Sequence, residues 1–229
     1  MSADEPTYIQ ALALGLDPAW RRRSDEERHD DGRRFIEAEA AAERDGVRSI
    51  SYSSVGLEPG VDLLFWRIAP VIDDLETAAA VLLRAGLGCW LTVRHSFVGR
   101  VGPSQYVKKP TDQEQSLFAG ERSRYLIVYP FTKSTDWYLL SREARQGVMN
   151  EHMRVGHEYP MVRQALAYSF GLDAQDFVVA YETDDLVAFG ELVRALRGTE
   201  SRRSTVRDTP ILLGIHRPLE EIVSLLGAP

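Results

Sequence analysis

Two strand-like runs joined by a three-residue turn, followed at once by a helix-like run, constrain this chain more than any other feature. Val47 to Leu57 reads as a strand and ends in Glu58-Pro59-Gly60. Val61 to Ala69 reads as a second strand, with Leu63, Leu64, Phe65 and Trp66 as its buried run. Turn residues between two such runs predict antiparallel pairing. From Ile72 to Ala85 the apolar residues Ile72, Leu75, Ala78, Ala79, Leu82 and Leu83 recur at helical spacing, and Gly86 and Gly88 end the helix. Cys89 to Val98 reads as a third strand, and Lys108-Lys109-Pro110-Thr111-Asp112 as a loop.

The second half repeats the theme. Strands are predicted at Tyr125 to Phe131, Val162 to Phe170, Asp176 to Glu182 and Pro210 to Ile215. Helices are predicted at Arg142 to Val155, with Ser141 as N-cap and Gly156 past the end, at Asp184 to Arg197, and at Leu219 to Leu226. Helices alternating with strands that short turns join favour an α+β fold, with helices on one face of an antiparallel sheet. Two tandem ferredoxin-like halves are therefore expected, at 47–123 and 124–229. Residues 1–46 average polar, with Arg21-Arg22-Arg23, Asp25-Glu26-Glu27 and an alanine-rich run from Phe35 to Glu43. They read as an N-terminal helical arm wrapped on the outside.

The 229 residues carry a formal net charge of −7, which disfavours a nucleic-acid surface. No apolar stretch is long enough for a membrane span. Met1 to Pro6 lacks the basic and apolar regions of a secretory signal, so a cytoplasmic protein is expected. The single cysteine, Cys89, excludes an intramolecular disulfide; within Gly88-Cys89-Trp90-Leu91 it reads as a buried thiol.

The five histidines are His29, His95, His152, His157 and His216. His152 and His157 are five apart, about 140° around a helix, so they do not form an i, i+4 zinc pair. His152 shares a stripe with Val148, Met149 and Met153. An imidazole on an apolar helix face suits either a hydrogen-bonded core histidine or a single axial ligand to an iron porphyrin, and the residues alone leave both open.

The run Glu151-His152-Met153-Arg154-Val155-Gly156-His157-Glu158-Tyr159-Pro160 resembles the proximal-ligand segment of the chlorite dismutase family. Ser169 to Asp173, Phe177 to Asp185, Tyr129-Pro130-Phe131-Thr132-Lys133 and Asp136-Trp137-Tyr138 resemble further blocks of that family in the same order. The resemblance covers 124–229 closely and 47–123 more loosely. It implies two ferredoxin-like halves (a dimeric α+β barrel), haem in the C-terminal half, and a homo-oligomer, commonly a ring of five. The family includes chlorite dismutases, which turn chlorite into chloride and dioxygen. It also includes coproheme decarboxylases of haem biosynthesis, which use peroxide to convert two coproheme propionates to vinyls.

Carried over residue by residue, the resemblance implies that His152 is the axial iron ligand and that Glu200 accepts its second ring N–H. Tyr129 matches the oxidisable tyrosine of the decarboxylases, Lys133 a lysine beside the propionates, and Trp137 a residue at the porphyrin edge. Gln164 corresponds to the distal position, where chlorite dismutases carry arginine. Arg163 is its neighbour, and a one-residue slip along a strand would exchange the two. Arg197, Arg202, Arg203 and Arg207 form a cluster suited to carboxylates or to a subunit interface. The resemblance thus favours a coproheme decarboxylase, with porphyrin and peroxide as partners. The alternatives are a chlorite dismutase or peroxidase-like haem enzyme with Arg163 distal, and a non-enzymatic haem carrier or sensor. The segment Gly214-Ile215-His216-Arg217-Pro218 looks more like chlorite dismutases.

Overall fold

The computed structural model describes residues 7–107, 113 and 120–229, which fall into two compact units. The expectations for Met1 to Pro6 and for a loop at Lys108 to Asp112 lie outside the described residues. The first unit comprises the chain up to Val101 together with Leu212–Pro229; the second is Gly102–Ile211. The last segment, expected in the C-terminal half, therefore belongs to the first unit.

In the first unit the elements are β1 (Thr7–Leu16), α1 (Asp25–Arg44), β2 (Arg48–Glu58), β3 (Val61–Ala69), α2 (Ile72–Leu83) and β4 (Leu91–Val101). All neighbouring strands are antiparallel, in the order β4-β1-β3-β2. The second unit repeats this plan with β5 (Tyr125–Lys133), α3 (Thr135–Leu139), α4 (Arg142–Gly156), β6 (Arg163–Tyr168), β7 (Phe177–Thr183), α5 (Leu186–Arg197) and β8 (Thr205–Arg207). Its order is β8-β5-β7-β6, again antiparallel throughout. Both units thus place the fourth strand beside the first, then the third and the second, the β-α-β-β-α-β plan of the ferredoxin-like fold.

The reading of residues 1–46 as a purely helical arm is corrected by β1. Ile9, Ala11, Leu12, Ala13, Leu14 and Leu16 are all buried, and β1 pairs with β3 on one side and β4 on the other. A near-continuous apolar run is what a strand covered on both faces requires, and the polar residues that follow mask it when the segment is averaged. The helix after it begins where Ser24 and Glu27 form a reciprocal capping box. Trp20 precedes it and donates its indole N–H to Asp31 at 3.0 Å. Cys89 is also corrected: it lies in a 3-10 turn at Gly86–Trp90 and is exposed, so β4 starts two residues later than expected.

Two late elements complete the first unit, β9 (Leu212–His216) and α6 (Leu219–Leu226). β9 pairs with β2 through Tyr52 and Ser53. A Cβ on Gly214 would lie 2.6 Å from the Cβ of Tyr52, so the close approach of these strands requires glycine there. Ile222, Val223 and Leu226 join Trp20, Phe35, Leu63 and Phe65 in the core. Among the described residues no helix is long and apolar enough to cross a membrane.

Candidate functional site

Register sorts the side chains of the second unit onto two faces. β6 pairs with β7 so that Gln164 opposes Tyr181 and Arg163 opposes Glu182. β5 pairs with β7 so that Tyr129 opposes Val179. Successive residues alternate faces, so Gln164, Tyr181, Val179 and Tyr129 share one face and Arg163 and Glu182 the other. On the first face Val162, Val179 and Tyr181 form a buried cluster with Leu192 of α5, and Tyr129, Phe131 and Phe189 pack against it.

The opposite face is electrostatically committed. The Glu182 carboxylate is fully buried; it accepts from Arg163 at 2.8 Å and is also paired with Arg122. Arg163 additionally donates to the Glu121 carbonyl at 2.8 Å and to Ser123 Oγ at 3.0 Å. A buried carboxylate with two guanidiniums holds both by Coulomb attraction, because releasing either uncovers a charge in a low-dielectric setting.

Tyr129 and Tyr181 lie with ring centroids 6.1 Å apart. Burial holds the Tyr129 phenol well above its usual range, and its hydrogen bond to Tyr181 adds to the effect. Tyr129 is therefore a neutral phenol at any physiological pH.

His152 lies on α4, whose N-terminus is capped by Ser141 accepting from the Ala144 N–H. None of the fifteen residues of α4 is buried; Arg145, Val148, Met149, His152 and Met153 form a half-buried stripe. Burial pulls the His152 imidazole down to about 4, with Lys133 adding a like-charge contribution, so the ring is neutral at pH 7. Its Nδ1 lies 3.1 Å from Ser201 Oγ.

The group expected at that nitrogen, Glu200, stands elsewhere. Its carboxylate is 3.4 Å from Arg203 Nε on the exposed side of a 3-10 turn, Glu200–Ser204, and its backbone N–H donates to Glu151 at 2.9 Å. A 3-10 turn advances about 120° per residue, so only one of the neighbours Thr199, Glu200 and Ser201 can face the ring. Ser201 is that residue, and the sequence offers no signal that selects it over Glu200.

Lys133 is buried at the end of β5 and donates from Nζ to the Ser201 carbonyl at 2.8 Å. The ammonium sits 4.5 Å from the centroid of Trp137, itself buried, an arrangement that favours the cation. Burial nevertheless lowers Lys133 to about 8, with Arg202 contributing. Asp176 fixes the strand end by accepting from the Lys133 backbone N–H and from Tyr138, each at 2.7 Å. Of the arginine cluster, Arg202 pairs with Asp208 and Arg207 donates to the Thr209 carbonyl at 2.9 Å.

These residues fit an iron porphyrin. A neutral imidazole with Nδ1 engaged leaves Nε2 as a ligand, and Val148, Met149 and Met153 beside it are apolar. Arg145 belongs to the same helix face as His152, two turns earlier, and its buried Nε has no hydrogen-bond partner among the described residues. An unpartnered guanidinium nitrogen on this face, and the Lys133 ammonium that acts on the His152 ring, suit a ligand that carries carboxylates.

Comparison with known proteins agrees. The sequence pattern of the family described as chlorite dismutase matches residues 25–217. A coproheme decarboxylase of Mycolicibacterium smegmatis is 29% identical over 177 residues, 76% of this chain and 75% of that protein. A chlorite dismutase of Ideonella dechloratans is 30% identical over 148 residues, covering 61% of this chain and 52% of that protein. The solved chlorite dismutase from Candidatus Nitrospira defluvii in complex with imidazole superposes with a TM-score of 0.86 at 29% identity, over 96% of this chain and 94% of that one.

Proposed function

Because the chain belongs to the chlorite dismutase family, we propose that it is a haem-dependent oxidoreductase and, within that class, a coproheme decarboxylase. The observation that supports the narrower reading is the sorting of Arg163 and Gln164. Gln164 shares a sheet face with Tyr129, whereas Arg163 is bound by Glu182 on the other. A chlorite-decomposing site would need its arginine on the Tyr129 face. The similarity to the coproheme decarboxylase of Mycolicibacterium smegmatis supports the same choice.

In this reading coproheme is both substrate and redox centre. His152 would offer Nε2 to the iron, Arg145 and Lys133 would receive propionates, and Gln164 would present an uncharged side chain on the Tyr129 face. When bound, the iron porphyrin supplies the oxidising equivalents that peroxide brings. Each propionate loses carbon dioxide and two electrons to become a vinyl, while one peroxide and one proton taken up with it become two waters.

The chain's own residues serve that balance. Tyr129 is a phenol kept neutral by burial, so its oxidation must release a proton with the electron. Lys133, near 8, is largely cationic at pH 7 yet able to give up a proton, and so can both pair with a propionate and supply the proton consumed. Assembly into a homo-oligomer is part of the same reading.

The test is anaerobic addition of coproheme to the purified protein, then titration with peroxide and separation of products by mass. Stepwise loss of two carboxyl groups is expected. Bound but unconverted coproheme would overturn the decarboxylase reading, and dioxygen release from chlorite by the same preparation would replace it with the chlorite reading.

A further inference from the structure

His152 is met by a hydroxyl, and that hydroxyl has a second one behind it. Thr199 Oγ1 donates to the Leu196 carbonyl at 2.7 Å. The hydroxyl oxygens of Thr199 and Ser201 are 3.4 Å apart. Ser201 Oγ is 3.1 Å from His152 Nδ1. Thr199 and Ser201 are both buried.

Counting protons gives this series a direction. A hydroxyl has one proton to donate and two lone pairs. The Thr199 proton is committed to Leu196, the shortest of the three contacts, so Thr199 turns lone pairs toward Ser201. If Ser201 gave its proton to His152, two buried oxygens would face each other with no proton between them. If Ser201 gives it to Thr199, Ser201 faces the ring with lone pairs and the imidazole must be the donor. Only the second arrangement satisfies every contact, and buried polar groups are satisfied in native structures.

The series then runs from His152 Nδ1–H through Ser201 and Thr199 to the Leu196 carbonyl. That carbonyl lies in the last turn of α5, where the helix dipole is negative, and it also accepts from the Thr199 backbone N–H at 3.1 Å. Hydrogen bonds aligned in one sense polarise one another.

We propose that Ser201, backed by Thr199, is a positioning residue that holds His152 in the tautomer protonated on Nδ1, leaving Nε2 as a bare lone pair. Two contacts fix the turn that carries it: Lys133 Nζ grips the Ser201 carbonyl, and Glu151, the residue before His152, grips the Glu200 N–H at 2.9 Å. The significance of a free Nε2 rests on the iron-porphyrin reading above; the tautomer itself does not. An uncharged hydroxyl also withdraws less proton density from the ring than a carboxylate would, giving a less imidazolate-like ligand.

The experiment uses the full chain without porphyrin, labelled with ¹⁵N-histidine, and reads the His152 ring nitrogens by multiple-bond proton–nitrogen correlation at neutral pH. Nδ1 should have a pyrrole-type shift and Nε2 a pyridine-type shift. Thr199→Val removes the acceptor behind Ser201, so Ser201 should turn its proton to Nδ1 and the two shift types should exchange. Ser201→Ala should lose the bias, and Ser201→Thr should retain it. A wild-type protein protonated on Nε2, or a Thr199→Val protein with unchanged ring shifts, would overturn the proposal. A parallel coproheme titration of the wild type distinguishes failure of the tautomer from failure of the porphyrin reading.

Discussion

Lys133 and His152 address one residue from two sides: the ammonium donates to the Ser201 carbonyl at 2.8 Å, and the imidazole meets Ser201 Oγ at 3.1 Å. The strand end at Lys133, the helix at His152 and the turn at Ser201 are therefore coupled through a single side chain and its backbone. Lys133→Met should loosen the turn and remove a carboxylate partner together. Hydrogen bonds to charged groups contribute about 1.5–3 kcal/mol, so coproheme affinity should fall roughly 10- to 100-fold. Absorbance titration measures it, and an unchanged Kd would remove Lys133 from the site.

The neutrality of His152 has a consequence for acid stability. The folded ring titrates near 4 and an unfolded histidine near 6.5. Between those values the unfolded chain binds a proton that the folded chain refuses, so stability falls as pH drops from about 6.5 toward 4. Above about 6.5 both states are neutral and the ring adds no slope. His152→Gln should flatten this part of the curve, as read from urea midpoints of the porphyrin-free protein in that range. A variant with the same slope as the wild type would place the acid sensitivity elsewhere.

Tyr129→Phe separates binding from chemistry. The ring remains to pack against Tyr181, while the oxidisable hydroxyl is lost. Stability should drop by only about 1 kcal/mol, the net value of one hydrogen bond. Coproheme should bind within a few-fold of the wild type, and carboxyl loss under peroxide should be abolished. Turnover that survives, followed by mass, would exclude the phenol from the reaction.

Much of this architecture was legible in the residues because its signals are local. The hairpin at Glu58-Pro59-Gly60, the helical spacing after Ile72 and the N-cap at Ser141 each act within a few residues, and the elements form there, although Gly156, expected past the helix end, is the last helical residue and His157 caps it. β1 was not legible, because its near-continuous apolar run from Ile9 to Leu16 lacks the alternation that marks a strand, and its pairing with β3 on one edge and β4 on the other is tertiary. Residues 212–229 look like a continuation of the second half, but β9 pairs with β2 of the first. At the site, the motif around His152 marks the imidazole, whereas its partner depends on the phase of a 3-10 turn. In Thr199-Glu200-Ser201 the most acidic residue attracts attention and the middle position faces outward. The pairing of Glu182 with both Arg122 and Arg163 is tertiary and leaves no spacing to read.

The choice between arginine and glutamine on the Tyr129 face gives the sharpest reciprocal test. Arg163→Ala leaves the buried Glu182 with Arg122 alone. Breaking a buried pair costs about 3–5 kcal/mol when no partner remains, so with Arg122 retained the loss should stay below about 3 kcal/mol. It should appear as a lower urea midpoint with unchanged coproheme affinity, because the guanidinium belongs to the other face. Gln164→Arg does the opposite: it adds a cation to the face of Tyr129 without touching Glu182. That variant should gain dioxygen release from chlorite at an oxygen electrode, because a guanidinium there can hold an anionic oxidant near the iron. If instead the wild type already evolves dioxygen and Arg163→Ala abolishes it, Arg163 reaches the iron in the working enzyme and the decarboxylase reading falls with the face assignment.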